Sequence, residues 1–106
     1  MKIEFDTKEY IKNIAKGNSY FHTFINKGNL AAGILRLEPG EKDTQAPHES
    51  DEIYYIIQGD GFLNVGEKDY VISEGMSYFV AKDIKHRFRG NTKELIVLYF
   101  FGGPDS

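Results

Sequence analysis

The chain has 106 residues, of which 41% are hydrophobic, 14% aromatic and 27% charged. This length is typical of one domain, and the composition excludes a disordered or low-complexity scaffold. Thirteen basic and sixteen acidic residues give a net charge of −3, and the basic residues are scattered along the chain. Nucleic acid is therefore not an expected partner. Because cysteine is absent, disulfides, cysteine-based zinc sites and thiol catalysis are excluded.

The apolar runs of the sequence give no sign of a membrane segment. The longest, Ile53–Ile57 and Leu95–Phe101, are far shorter than the roughly 18 residues that a membrane span requires. The N-terminus contains acidic residues and has no apolar stretch of the kind that secretory signals carry. We therefore expect a cytoplasmic protein with no membrane partner.

The first periodic segment predicts a helix over Asp6–Lys16. Asp6 can cap the free amides of the first turn, and Glu9 follows three residues later, as in a capping box. Gly17 is a natural end for the helix. A short surface loop is the alternative. The apolar residues at helical spacing are Tyr10, Ile11, Ile14 and Ala15.

Beyond Gly17, short apolar runs alternate with turn residues. Regular short strands of this kind are typical of an all-β sandwich or barrel. The runs are Phe21–Ile25, Leu30–Leu37, Ile53–Ile57, Phe62–Val65, Asp69–Ile72, Met76–Val80, Lys85–Arg89 and Glu94–Phe101. Alternation along them predicts the core residues Leu63, Val65, Val71, Phe79, Leu95 and Val97.

One stretch, from Glu38 to Glu52, carries six acidic residues against a single lysine. A solvated acidic loop is the ordinary interpretation for most of these side chains. In an extended segment, however, alternate side chains share a face, so His48, Ser50 and Glu52 would point the same way. An imidazole and a carboxylate on one face can converge on a divalent metal.

A second histidine strengthens this hypothesis. In an extended segment, His86 and Phe88 share one face while Arg87 and Arg89 take the other. If the cationic face meets solvent, His86 points inward, where an unpaired polar group costs about 1–3 kcal/mol. A core histidine bonded to a backbone carbonyl and a metal ligand both meet this requirement. His22 is expected to be structural or on the surface.

Two stretches resemble the signature motifs of the cupin superfamily. The first reads Gly40-(x5)-Ala46-x-His48-(x3)-Glu52-(x6)-Gly59, and the second Gly75-(x5)-Ala81-x-Asp83-(x2)-His86-(x3)-Gly90. Fifteen residues separate them, as in compact single-domain cupins of the bacterial type. The resemblance implies an all-β jelly-roll barrel, the double-stranded β-helix, preceded by the short helix. It implies one domain over residues 1–106, with the motifs at about 40–59 and 75–90.

The resemblance also implies a metal site, but with one departure. The family's first motif histidine falls at Ala46, which has no donor atom. The neighbouring Gln45 can substitute, because its longer side chain carries a carbonyl oxygen. Strict alternation from His48 would instead point it to solvent. The ligands implied are therefore His48, Glu52 and His86, with Gln45 as the candidate fourth.

Two imidazoles and a carboxylate suit iron, manganese, nickel, cobalt or zinc. Three classes of function stay open: a metal-dependent enzyme acting on a small oxygenated molecule, a non-catalytic binding module for a sugar or metabolite, and a structural barrel that has lost its function. The enzyme could be dioxygenase-like or an isomerase or lyase. Tyr54 follows Glu52 at period two, so it lines the cavity or belongs to the core.

The resemblance finally implies a homodimer, because single-barrel cupins commonly pair through their outer sheet faces. The runs Ile53–Ile57 and Leu95–Phe101 are apolar on both faces, which is more than one small barrel interior requires. The side chains of Arg36, Arg87 and Arg89 are expected at the rim of such an interface.

Overall fold

The structure, a computed structural model, describes residues 1–14, 20–45 and 47–103. These ranges contain one helix and eight strands: α1 (Thr7–Ile14), β1 (Phe21–Lys27), β2 (Leu30–Leu37), β3 (Glu52–Gln58), β4 (Phe62–Val65), β5 (Lys68–Val71), β6 (Ser77–Val80), β7 (His86–Arg89) and β8 (Leu95–Phe101). No helix within them is long and apolar enough to cross a membrane.

The N-terminal helix forms where the capping signal predicts it. The backbone N–H of Glu9 donates to Asp6 Oδ1 over 3.1 Å, so Asp6 caps α1. The predicted end at Lys16 lies outside the described residues. The helix packs against β1 and β2, where the ring of Tyr10 stacks on Phe24 with 4.9 Å between centroids. The apolar side of α1 therefore covers part of a sheet.

The strands form two antiparallel sheets with the core between them. The larger sheet has the order β1-β2-β8-β3-β6, and the smaller one the order β5-β4-β7. This arrangement confirms the predicted all-β barrel with a short N-terminal helix. The largest fully buried side chains are Tyr54, Phe88, Ile34, Leu37, Ile56, Leu63, Leu95, Val80 and Val97.

The core prediction is right on some strands and wrong on two. Leu63, Leu95 and Val97 are buried, and Val65 packs against the core partly buried. Val71 and Phe79, in contrast, are 71% and 65% exposed.

The two errors have the same physical cause. Side chains alternate between the faces of a strand, so an error of one position exchanges inside for outside. On β6 the inward residue is Val80, and Phe79 pairs with the outward-facing Ile53. After β5 it is Ile72 that enters the core, while Val71 pairs with the exposed Phe62.

Motif glycines hold the turns between strands, and Gly59 is the tightest. Its φ of 111° lies in a region that side chains rarely adopt, and an added Cβ would lie 2.8 Å from Glu94 O and from Leu95 Cα. Gly66 also has a positive φ, of 63°, but no atom would lie within 4 Å of its Cβ.

We expect Gly59→Ala to lower the free energy of unfolding by about 3 kcal/mol or more, because strain and a backbone clash add. Gly66→Ala, the matched control, has the strain alone and should cost about 1–2 kcal/mol. Chemical denaturation of both variants measures the difference. Equal losses would contradict the close packing of Gly59 against the start of β8.

Candidate metal centre

Three side chains from different parts of the sequence meet between the two sheets. Glu52 is the first residue of β3 in the larger sheet, and His86 is the first residue of β7 in the smaller one. His48 lies in the loop before β3, and its carbonyl accepts the backbone N–H of Asp83 over 2.8 Å. One ligand atom from each of the three lies within 4.8 Å of the others. The structure therefore brings together the trio that the sequence suggested.

The two buried members of the trio face each other without a hydrogen bond. Glu52 is 2% and His86 3% exposed. Glu52 Oε1 and His86 Nε2 lie 3.1 Å apart, yet neither atom has a well-formed hydrogen bond within the described part of the chain. Burying a polar atom unpaired costs about 1–3 kcal/mol. A cation bound between them would satisfy both atoms, so the residues present fit a metal.

The other ring nitrogen of His86 fixes its orientation. Nδ1 lies 2.8 Å from the carbonyl oxygen of Ile84. Because a carbonyl can only accept, Nδ1 carries the proton, and in the neutral ring the lone pair lies on Nε2. Metal-ligating histidines are commonly oriented in this way. The backbone bond expected of a core histidine is thus present, and it leaves the ligand atom directed at Glu52.

The surroundings shift two pKa values. Burial opposes a charge on His86, but the Glu52 carboxylate and the Ile84 carbonyl outweigh it, so the pKa of His86 is raised above its ordinary value. Burial, followed by the nearby Glu52 charge, raises the pKa of Tyr54 well above its usual value. The Tyr54 phenol therefore keeps its proton, and its O–H donates a hydrogen bond to Gln45 Oε1 over 3.1 Å.

Gln45 faces the site rather than solvent. Its Oε1 lies 3.0 Å from His48 Nε2, and its side chain is partly buried. Strict alternation fails here because Gln45 and His48 are not part of a strand, and strand pairing begins only at Glu52. The expectation that alternation turns Gln45 outward is therefore wrong. Ala46 lies outside the described residues.

Sequence reasoning missed Asp43, which it treated as part of a solvated loop. The residue is 7% exposed, and its carboxylate accepts hydrogen bonds from the Gln45 amide, the Tyr20 hydroxyl and the Phe88 backbone. Strand alternation could not have identified Asp43, because residues 41–45 are not part of a strand. Its partners Tyr20 and Phe88 are distant in sequence.

A cavity of about 240 Å³ adjoins the trio. Its apolar and aromatic walls come from Tyr20, Phe21, Leu35, Tyr99 and Phe101, and its polar groups from Thr44, Gln45, His48, Glu52 and Tyr54. Tyr54 is also fully buried, so it both lines the cavity and belongs to the core, the two alternatives expected for it. Among the described residues that line the cavity, none is lysine or arginine. The donor set of imidazole, carboxylate and amide oxygen suits a divalent transition metal.

The sequence profile of the cupin domain matches residues 33–101, which is more than half of the chain. The protein belongs to the cupin family. The uncharacterized protein SCO3923 of Streptomyces coelicolor is 28% identical over 92 residues, which cover 87% of this chain and 88% of the relative.

Solved structures share the fold at lower identity. An RmlC-like cupin with a double-stranded β-helix fold from Methanocaldococcus jannaschii has a TM-score of 0.73 and 17% identity, covering 79% of each chain. The DMSP lyase DddQ from Ruegeria pomeroyi has a TM-score of 0.71 and 20% identity, covering 78% of this chain and 46% of the lyase. The predicted membership of the cupin superfamily is confirmed by the family match, and these structures share its fold.

The raised pKa of His86 gives a pH dependence in the metal-free protein. Protonation of His86 stabilises the folded state, and this contribution is complete below the unfolded pKa of about 6.5 and is lost as the pH rises through the folded pKa. We expect an NMR titration of the His86 ring to give a midpoint above about 6.5, and Glu52→Gln to lower it. An unchanged midpoint in Glu52→Gln would contradict the assigned cause.

Proposed function

We propose that the protein binds one divalent transition metal through His48, Glu52 and His86, with Gln45 Oε1 as a fourth donor, and acts on a small oxygenated organic molecule. The observation that carries this proposal is the buried pair of Glu52 Oε1 and His86 Nε2, 3.1 Å apart and without other hydrogen bonds among the described residues. Iron, manganese, nickel, cobalt and zinc all accept this donor set.

Two distances are compatible with a shared ion, which would displace the proton of the hydrogen bond that His48 Nε2 donates to Gln45 Oε1. His48 Nε2 and Gln45 Oε1 are 3.0 Å apart, and His86 Nε2 and Glu52 Oε1 are 3.1 Å apart. Neighbouring donors on an octahedral ion with bonds of about 2.1 Å are themselves about 3 Å apart. Imidazole must give up the proton on its ligating nitrogen, so metal binding and protonation compete at this site.

The cavity defines the kind of molecule that fits. Its volume of about 240 Å³ is that of roughly eight water molecules in the liquid. Apolar walls such as Leu35 and Phe101 suit a carbon skeleton, while the polar groups lie toward the trio. When bound, the metal supplies Lewis acidity toward a carbonyl or enol, or redox activation of oxygen. Isomerase, lyase and dioxygenase-like reactions all use such chemistry.

A non-catalytic binding protein is the second candidate, and one observation favours it. Apart from the proposed ligands, the ionisable residues that line the cavity are the phenols of Tyr20, Tyr54 and Tyr99, and burial raises the pKa of both Tyr20 and Tyr54. Within the described cavity lining, a general base separate from the ligands is therefore missing. Turnover of a bound small molecule would decide between the two candidates.

The metal site is tested by removing its ligands. His48→Ala and His86→Ala should each weaken metal binding by more than roughly 100-fold, and Glu52→Ala should weaken it severely, because each removes a ligand. The measurements are elemental analysis of protein purified without chelators or a nickel column, and calorimetric titration with Zn²⁺ and Mn²⁺. His22→Ala is the matched control, because His22 is exposed on β1.

Metal content that stays unchanged in both the His48 and His86 variants would overturn the site assignment. The functional interpretation would then be a metal-free binding barrel. Redox-active iron bound to the wild type would favour oxygenase chemistry, whereas stoichiometric zinc would favour Lewis-acid chemistry.

We further propose that two copies pair through the outer face of the larger sheet. Helix α1 packs on β1 and β2, but the outward side chains of β8, β3 and β6 form an exposed apolar row. Phe100, Ile53 and Phe79 are adjacent in the strand register and are 38%, 48% and 65% exposed. An apolar row of this kind is typical of an interface. Arg36 borders this face, whereas Arg87 and Arg89 lie on the other sheet.

Light scattering at tens of micromolar should show a dimer for the wild type and a monomer for Phe79→Glu, because a charge would be buried in the interface. Val71→Glu is the control, since Val71 is equally exposed but lies on the smaller sheet, and it should stay dimeric. A monomeric wild type would overturn the proposed pairing.

A further inference from the structure

The loop before β3 contains a buried carboxylate, that of Asp43, which accepts hydrogen bonds from several donors. Asp43 Oδ2 accepts the Gln45 side-chain N–H over 2.7 Å and the Phe88 backbone N–H over 2.8 Å. Asp43 Oδ1 accepts the Tyr20 hydroxyl over 3.0 Å and, more weakly, the Gln45 backbone N–H over 3.4 Å. Asp43 is the acceptor in each of these hydrogen bonds, and a carboxylate can accept them through both of its oxygens.

This arrangement decides which end of the Gln45 amide faces the site. An amide has one accepting end and one donating end, and its orientation is assigned from the hydrogen-bond network. Because Asp43 holds the NH₂ group, the carbonyl oxygen is turned toward Tyr54 and His48, 3.1 Å and 3.0 Å away. The Tyr54 hydroxyl donates a hydrogen bond to the same carbonyl oxygen and reinforces this orientation from the other side.

Asp43 also joins the loop to the strand that carries a proposed ligand. Its bond to the Phe88 backbone lies two residues beyond His86 on β7. One carboxylate thus links the segment that presents Gln45 to the strand that presents His86. Movement of the loop relative to β7 would break that bond in the barrel interior, where an unpaired N–H costs about 1–3 kcal/mol.

We propose that Asp43 is a positioning residue: it fixes the Gln45 carbonyl oxygen toward the metal, so that the pair Asp43–Gln45 replaces the imidazole that is missing at position 46. This inference rests on the proposed metal-binding function. Ala46 offers no donor atom, and a freely rotating glutamine would present its NH₂ group, which cannot ligate, as readily as its oxygen.

The test is a double-mutant cycle on metal affinity. Asp43→Ala and Gln45→Ala should each lower the affinity for Zn²⁺ and Mn²⁺ by roughly 10-fold, as expected for a lost weak donor or its support. Because Asp43 acts through Gln45, the double variant should bind no more weakly than Gln45→Ala alone. The visible absorption of the Co²⁺-loaded protein should change in the same way in both single variants.

Tyr20→Phe is the matched control for a merely structural role. It removes the hydrogen bonds of the Tyr20 hydroxyl to Asp43 and to the Thr44 backbone N–H but leaves the contact between Asp43 and Gln45, so it should lower stability without changing metal affinity or the Co²⁺ spectrum. Asp43→Ala that loses stability while binding metal like the wild type would overturn the inference. The inference would also be overturned if Asp43→Ala lowered the metal affinity by the same factor in the wild type and in the Gln45→Ala variant.

Two further measurements apply if Asp43→Ala does not fold. Asp43→Asn keeps the volume but leaves one oxygen for four donors, and its affinity should fall between those of wild type and Gln45→Ala. In the metal-free wild type, the Gln45 side-chain amide protons should exchange slowly with water, and rapid exchange would overturn the inference. Retention of metal by His48→Ala and His86→Ala is a different outcome, which overturns the proposed function itself.

Discussion

The contact between Glu52 Oε1 and His86 Nε2 is the constraint on which the rest of the structure depends. Two strands of opposite sheets begin at these residues, and both side chains are buried with polar atoms that lack other hydrogen bonds in the described chain. A barrel of this size has a small free energy of unfolding, and when His86 is neutral each of these two buried atoms is unpaired at a cost of about 1–3 kcal/mol. The surrounding core of Tyr54, Ile56 and Phe88 offsets that cost. A local arrangement that lowers the stability of the folded state in this way is typical of a functional site.

The loop before β3 offers the proposed metal site a replacement for the motif position that carries no donor atom. Gln45 takes a place beside His48, but an amide has two chemically different ends, and its orientation needs a second residue. Asp43 supplies this through a bond to the Gln45 NH₂ group, and it is anchored in turn by Tyr20 and Phe88. Because the members of this buried network depend on one another, the contribution of each hydrogen bond can be separated only by double-mutant cycles.

The outer face of the larger sheet is divided between the helix and an exposed apolar row. Ala32 and Ile34 point outward from β2 and are nevertheless buried, on the strand against which α1 packs. On β8, β3 and β6 the corresponding positions, Phe100, Ile53 and Phe79, remain exposed. A single sheet therefore carries apolar side chains on both faces, and only part of the outer one is covered within the chain.

The sequence by itself determined the class of fold and three residues of the proposed metal site. Glycines at fixed spacing define the turns, and His48, Glu52 and His86 occur at motif positions relative to them, so the trio was predictable without coordinates. Only the tertiary structure decided that Val71 and Phe79 face outward, because the sheet register sets the side of each residue and local alternation does not. It also decided that Asp43 is buried and Gln45 turned inward. The partners that hold Asp43, Tyr20 and Phe88, are 23 and 45 residues away in the chain, and contacts over such separations exist only once the barrel has closed.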